Sequence, residues 1–150
     1  MPLAAQDDQA RVALNDLKGM IDTKAATAAW NEALKTPSWS GKPVWVHGDL
    51  LPSNLLLQQG RLSAVIDWAG LGIGDPACDM IIVWGLLPPG ARNTFRVALA
   101  VDDATWARGR GWALSIGLIA LPYYNDTNPE FAATARYLIN EVLADEEFQS

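Results

Sequence analysis

The chain has 150 residues, half of them hydrophobic and 19% charged, so it can form a globular domain with its own core and is not a disordered tail. Its 17 acidic and 11 basic residues give a net charge of -6, which is the wrong sign for holding a nucleic acid backbone and predicts no nucleic acid partner. One cysteine and one histidine are too few for an internal disulfide and for a zinc site. The sequence also has no signal peptide and no membrane-spanning stretch. Together these observations predict a cytoplasmic protein with no membrane partner.

The first third of the chain has apolar side chains at the three and four residue spacings that are typical of helices. Gly19 and the Asp22-Thr23 pair divide residues 6–35 into two predicted helices. Asp22 is the expected N-cap of the second helix, because aspartate accepts hydrogen bonds from the free backbone N–H groups of a first turn.

The middle third changes to short β-prone runs, at residues 44–46, 55–57 and 62–66. The link between the second and third runs contains Gly60 and suits a hairpin. Asp75-Pro76 then opens a helix, because proline is tolerated at the first helical position.

Every later periodic segment is predicted to be helical. The three segments are residues 91–99, a long run capped by Asp102 or Asp103 that reaches Leu121, and a helix from Asn128-Pro129 to about Phe148. Three glycines of the long run are expected to let neighbouring helices approach: Gly109, Gly111 and Gly117. Three tryptophans within apolar helical patterns are expected in the core: Trp30, Trp84 and Trp112.

The residues that carry chemistry are concentrated between positions 47 and 79. Asp49 and Asn54 share a proline-containing loop between two β-prone runs, and Asp67 follows the third run, so we expect all three side chains to reach one cleft. Carboxylate and carboxamide oxygens are the hard ligands that Mg²⁺ prefers, and a spare carboxylate can accept a hydroxyl proton. The pattern predicts a magnesium site beside an acid/base group.

These residues resemble the signature of the aminoglycoside phosphotransferase family, which shares the protein-kinase-like fold. That signature is His-Gly-Asp, four residues and Asn, then Ile-Asp-Trp, then Gly-Asp-Pro, two residues and Asp; here its three parts begin at His47, Ile66 and Gly74. The resemblance implies the large carboxy-terminal lobe of that fold, mainly α (α+β), a helical bundle with a short β-hairpin at the active site.

The same resemblance implies a role for each residue of the predicted cleft. Asp49 is the catalytic carboxylate that orients and deprotonates an acceptor hydroxyl. Asn54 and Asp67 hold the magnesium ions that bridge the phosphates of ATP, the co-substrate.

Neighbouring residues are predicted to support the site rather than to react. His47 is expected to brace the loop through hydrogen bonds to the backbone, and Trp68 to pack so that it fixes the metal-binding aspartate. Asp75 is expected to cap the next helix and Asp79 to be its first-turn acid, with a further role for Asp79 in bracing the catalytic loop. Cys78 is expected to be a buried structural thiol.

The glycine-rich run at residues 70–74 lies between a strand and a helix, as a dinucleotide fingerprint would. Asp75 at its sixth position would repel pyrophosphate, and no alternating strands and helices follow. The glycines are therefore expected to give backbone freedom to the segment that leaves the metal site.

Phosphoryl transfer in the kinase-like fold also uses a small lobe with a glycine-rich loop and a strand lysine. Residues 1–46 are helical in pattern, and Lys18, Lys24 and Lys35 all fall on helices. Residues 1–150 are therefore predicted to be one domain, the truncated catalytic lobe without its nucleotide lobe.

The predicted function is transfer of the ATP γ-phosphate to a hydroxyl group of a small molecule, with little or no turnover by the isolated lobe. The alternative is a non-catalytic binding or interaction module that keeps the motif as a relic. The missing lobe is expected to leave an apolar surface near residues 44–57, which would bind a second copy of the chain or a separate nucleotide lobe.

Overall fold

The computed structural model describes residues 1–145. The α-helices in this range are α1 (Asp7–Asp16), α2 (Thr23–Lys35), α3 (Ile81–Gly85), α4 (Pro89–Ala98), α5 (Asp103–Tyr124) and α6 (Pro129–Leu143). The strands are β1 (Val44–Val46), β2 (Leu55–Gln58), β3 (Arg61–Val65) and β4 (Gly72–Gly74). Short 3₁₀ turns lie at Leu3–Gln6, Pro52–Asn54, Trp68–Gly70 and Pro76–Met80.

Three long helices begin at the N-caps that the sequence predicts. Asp22 accepts the N–H of Ala25 at 3.0 Å and so separates α2 from α1. Of the two adjacent candidates for α5, Asp102 is the cap, and it accepts the N–H of Thr105 at 2.7 Å. Asn128 caps α6. Helix α6 ends earlier than predicted, and the remainder of that prediction lies outside the described residues.

Helix α5 is the centre of the molecule, and α1, α2, α3 and α6 all pack against it. At Gly109 an added Cβ would overlap the side chain of Met80, and at Gly117 it would lie 2.9 Å from the carbonyl oxygen of Ala135 in α6. The predicted use of these glycines, close approach of neighbouring elements, is confirmed.

The core is apolar and contains the tryptophans that the periodicity places there. Trp30 and Trp84 are fully buried, and Trp112 is nearly so. Burying each ring contributes on the order of 2–3 kcal/mol to folding. Within residues 1–145, no helix combines the length and the apolarity that crossing a membrane would require.

The strands form two separate antiparallel ribbons. The predicted hairpin is present, with β2 paired to β3. In the other ribbon β1 pairs with β4, where Val44 lies opposite Gly74 and Val46 opposite Gly72. This second ribbon was not predicted, because glycine has little strand propensity and the partner strand lies far back in the chain. The run at residues 70–74 is thus partly a strand and not only a flexible exit from the site.

Both ribbons expose apolar side chains. Trp45 is 71% exposed, Leu57 63%, Leu62 59% and Ile73 59%. The strands therefore leave an apolar surface in the region where the sequence analysis expects one. We call these four residues the ribbon patch.

Candidate active site

His47 stands at the end of β1 and is buried. The backbone N–H of Asp49 donates to its Nδ1 at 3.1 Å, so the ring proton lies on Nε2, which donates to the carbonyl of Ile66 at 2.8 Å. Both ring nitrogens are occupied by backbone partners. His47 therefore ties the loop to the end of β3 and has no free nitrogen for a substrate proton.

Asp79 fixes the same loop from the other side. Its carboxylate accepts the backbone N–H of His47 at 2.8 Å and that of Gly48 at 3.0 Å. Gly48 has a φ of +86°, and a Cβ there would overlap the carbonyl oxygen of Gly70, so only glycine fits this turn. The prediction placed Asp79 chiefly as a first-turn acid; the structure makes the bracing bonds its main contacts.

Asn54 lies at the far end of the loop and is 7% exposed. Its Nδ2 donates to the backbone oxygen of Asp49 at 2.8 Å and to Oδ2 of the Asp49 carboxylate at 3.1 Å. The first bond holds the backbone of the loop, the second holds the Asp49 side chain, and together they fix the orientation of the amide. Oδ1 of Asn54 consequently faces away from Asp49, and it accepts no hydrogen bond from any residue in the described part of the chain.

Asp67 follows β3 in a left-handed backbone conformation, with φ 57° and ψ 70°. Such a conformation is uncommon outside glycine, asparagine and aspartate, and it often marks functional sites. The side chain is exposed and forms no hydrogen bond with residues 1–145. The N–H of Ile66 donates to the carbonyl of Asn54 at 2.9 Å, which joins the chain before Asp67 to the loop.

Trp68 covers His47 rather than Asp67. The two rings lie 4.6 Å apart at 58°, and Nε1 of Trp68 donates to the carbonyl of Val65 at 3.0 Å. Trp68 is still 49% exposed. Its packing therefore supports the turn that carries Asp67 through the backbone on either side of it.

Asp49, Asn54 and Asp67 line one cleft of about 280 Å³, together with residues of α5 and α6. We call it the loop cleft. The structure thus brings together the three side chains that the sequence analysis expects to converge. Asp75 is not among its lining residues.

Asp75 belongs to a separate buried network. It caps the 3₁₀ turn by accepting the N–H of Ala77 at 2.9 Å, as predicted. It also forms an ion pair with Arg108 of α5 at 2.7 Å, and Arg108 donates to the carbonyl of Pro37 at 2.9 Å. Sequence reasoning missed Arg108 as a supporting residue; its only signal was an arginine within an apolar helix.

Cys78 is half-buried beside these acids. Burial, with the added negative charges of Asp79 and Asp75, raises the pKa of its thiol from 9.0 to about 12. The thiol therefore stays protonated near neutral pH and is not a nucleophile, since the thiolate is the reactive form.

The donor set of the loop cleft suits magnesium. No group of three or more histidine, cysteine, aspartate or glutamate side chains among residues 1–145 forms a cage for a metal. Magnesium is instead usually held by one or two carboxylates together with substrate phosphates and water. The unbonded Asp67 carboxylate and the outward Oδ1 of Asn54 fit that arrangement.

Comparison with known proteins places the chain in a family of phosphotransferases. The chain is 31% identical over 103 residues to an uncharacterized protein, YcbJ, of Bacillus subtilis (strain 168), and the match covers 63% of this chain and 32% of that protein. It also resembles crystal structures of a thermostable mutant of aminoglycoside phosphotransferase APH(4)-Ia. The apo form has 26% identity and a TM-score of 0.51, with 83% of this chain and 45% of that chain covered.

A ternary complex of the N202A form of that mutant with AMP-PNP and hygromycin B aligns equally well, with 26% identity, a TM-score of 0.52 and the same coverage. The chain therefore spans less than half the length of these relatives. The structural match confirms the predicted fold, the mainly helical kinase-like lobe. A family model matches residues 2–112, a range that contains every candidate site residue, and this chain belongs to the phosphotransferase enzyme family.

Proposed function

We propose that this chain is the catalytic lobe of a kinase that transfers the γ-phosphate of ATP to a hydroxyl group of a small molecule. The observation that carries the proposal is the convergence of Asp49, Asn54 and Asp67 on the loop cleft. The complex of the related enzyme with AMP-PNP and hygromycin B supports the general pairing of a nucleotide with a small-molecule acceptor.

Asp49 is the proposed general base. Its carboxylate is held by the amide of Asn54 through Oδ2, which leaves Oδ1 for the acceptor hydroxyl. As the hydroxyl oxygen forms its bond to the γ-phosphorus, the bond from that phosphorus to the bridging oxygen of ADP breaks and the hydroxyl proton passes to Asp49. A positioned base of this kind contributes roughly 10²–10⁴ in rate.

Asn54 and Asp67 are the proposed magnesium ligands, through the amide Oδ1 and the exposed carboxylate. When bound, Mg²⁺ neutralises the charge that develops on the transferring phosphate. The protein's own part is rigidity: the two bonds from Asn54 to Asp49 couple the position of the metal ligand to that of the base.

A nucleotide lobe is the proposed partner of the ribbon patch. The chain spans only 45% of the related solved structures, and four large apolar side chains on the ribbons are more than half exposed. We expect the chain by itself to self-associate through this patch at high concentration. Sedimentation that shows a clean monomer throughout would contradict this.

Metal binding is the first test, because it does not require turnover. We expect Mn²⁺ with ATP to broaden the backbone amide signals of residues 47–54 and 66–68 in nuclear magnetic resonance spectra. Asp67→Asn should raise the metal concentration needed for this broadening by about tenfold. The control is Asp126→Asn, which should leave that concentration unchanged, because Asp126 is an exposed acid in the turn between α5 and α6. Equal broadening in both variants would favour the relic hypothesis.

Transfer of labelled γ-phosphate from ATP to a panel of hydroxyl compounds is the second test. We expect little activity from residues 1–150 alone and substantial activity when a glycine-rich nucleotide lobe is joined before residue 1. Asp49→Asn should lower that activity by at least roughly 10²-fold. Activity that survives this substitution would refute the assignment of the base.

A further inference from the structure

One side of the loop cleft is built from residues of α5 and α6, and we call it the acceptor wall. Its apolar members are Ile116, Ala120 and Tyr124 of α5 and Phe131, Ala135 and Leu138 of α6. The α5 residues are four positions apart along the chain, and the α6 residues are separated by four and then three positions. Each set therefore occupies one face of its helix. The acceptor wall is therefore a continuous apolar surface and not a chance contact of loop residues.

Two aromatic rings shape this wall. Tyr124 and Phe131 lie 5.1 Å apart with their planes only 29° from parallel. Phe131 is 42% exposed although it lies at the start of α6 and packs on a neighbouring ring. The two rings are stacked on each other, and the part of Phe131 that stays exposed offers one further ring face on which a flat apolar group can stack.

Polar groups on the wall are few. Thr134 lines the cleft, but its hydroxyl donates to the carbonyl of Glu130 within α6 at 3.3 Å. The hydroxyl of Tyr124 has no hydrogen-bond partner among residues 1–145 and is available to a ligand. The wall can thus orient a compound through about one polar contact and must bind the rest through apolar surface.

In the described part of the chain, the acceptor wall itself offers no negative charge that would favour a polycation as ligand. Among the described residues that line it, the acids are Asp49 and Asp67, and the proposed function assigns one to the proton and the other to the metal. Within residues 1–145, the acceptor wall contributes no carboxylate that could pair with an ammonium group. A charged amine buried there would lose its hydration without a compensating partner.

We infer that the acceptor is a small neutral alcohol with a flat apolar or aromatic portion, which stacks on Tyr124 and Phe131 while its hydroxyl faces Asp49. The inference rests on the proposed function, because it identifies this cleft as the place where the acceptor binds. The volume of about 280 Å³ is close to the lower end of the range of roughly 300–1,000 Å³ for ligand pockets, so the described cleft has room for a small compound.

Binding of a matched pair of probes tests the inference without turnover. The probes are 2-phenylethanol and 2-phenylethylamine, which differ in the hydroxyl and the charged amine, and a polyamino sugar serves as the polycation. Amide shift changes in residues 116–138 report binding. We expect the alcohol to bind at least about tenfold more tightly than either amine, with changes confined to the loop cleft.

Two variants test whether the alcohol binds to the aromatic part of the acceptor wall. Phe131→Ala should weaken binding of the alcohol by about fivefold or more. Tyr137→Ala is the matched control, because Tyr137 lies on the same helix with nearly the same exposure, 41% against 42%, and does not line the cleft. Tighter binding of an amine, shift changes outside the cleft, or equal effects of the two variants would overturn the inference.

A transfer assay separates the two levels of the proposal. Phosphorylation of the polyamino sugar in preference to neutral alcohols by the two-lobe form would overturn the inference and leave the proposed function standing. Tight cleft binding of the alcohol without phosphate transfer to any acceptor would support the ligand class and refute the proposed reaction.

Discussion

Replacing Asp79 by alanine tests whether this side chain, and not only the backbone, holds the loop from His47 to Asn54. The change removes two hydrogen bonds to a charged acceptor, from the N–H groups of His47 and Gly48 at 2.8 and 3.0 Å. Hydrogen bonds to charged groups contribute about 1.5–3 kcal/mol each. Gly48 is exposed, so water replaces part of the second bond, and the His47 residue is buried.

We therefore expect Asp79→Ala to lower the free energy of unfolding by about 2–4 kcal/mol, a large share of the roughly 5–15 kcal/mol typical of a domain. With a urea m-value of about 2 kcal/mol/M, the midpoint of unfolding should fall by roughly 1–2 M. Asp79→Asn keeps one acceptor oxygen and should lose about half as much. It provides the measurement if the alanine variant does not fold.

Asp67→Asn is the matched control in the same assay. Asp67 forms no hydrogen bond with the described residues, and asparagine tolerates its left-handed backbone. Its unfolding free energy should change by less than about 0.5 kcal/mol. If Asp79→Ala and Asp67→Asn shift the midpoint equally, the bracing role of Asp79 is refuted.

Three further predictions concern packing, capping and the thiol. Gly109→Ala should lower the free energy of unfolding by about 1–3 kcal/mol, and with it the thermal midpoint, because the added Cβ would overlap Met80. The control is Gly90→Ala in α4, which should be neutral or stabilising because no atom lies within 4 Å of its Cβ. Equal effects of the two variants would contradict the packing. The N–H of Thr105 lowers the pKa of Asp102 below 3.8, so the stability this carboxylate contributes is present above that value and is lost as pH falls through the folded-state pKa. Urea unfolding between about pH 6 and pH 3 should show a smaller acid-induced loss for Asp102→Asn than for the parent chain, and parallel curves would count against the cap. Because burial raises the pKa of Cys78 to about 12, iodoacetamide should alkylate the folded protein at least about tenfold more slowly than the urea-unfolded chain at pH near 8. The free energy of unfolding should also decline as pH rises from 9.0 toward 12. Equal alkylation rates would show that the thiol is not protected.

Local signals in the sequence were sufficient for the starts of the helices and for the convergence of Asp49, Asn54 and Asp67 on one cleft. Asp22, Asp75 and Asn128 cap the elements that follow them, because capping depends on a few adjacent residues. The spacing of Asp49 and Asn54 on one short loop also allows only a small range of separations. Their shared position in the cleft follows from that spacing and from the hairpin that brings Asp67 back.

Local signals failed where the partner lies far away along the chain. The pairing of β1 with β4, the ion pair of Arg108 with Asp75 and the bonds from Asp79 to the loop all join segments that are separate in sequence. The sequence around either residue of such a pair contains no local pattern that predicts its partner. For the same reason the contribution of α6 to the cleft was not predicted.

By itself, the sequence determined the mainly helical fold and the family signature, because helix periodicity, caps and motif spacing are properties of neighbouring residues. Tertiary structure decided what the motif faces. Only the packing of α6 on α5 places Phe131 against Tyr124, and among residues 1–145 it brings no acid of these two helices to the cleft. The family signature thus lies in a short segment, whereas the surface that the segment faces is formed by side chains that folding brings together from distant helices.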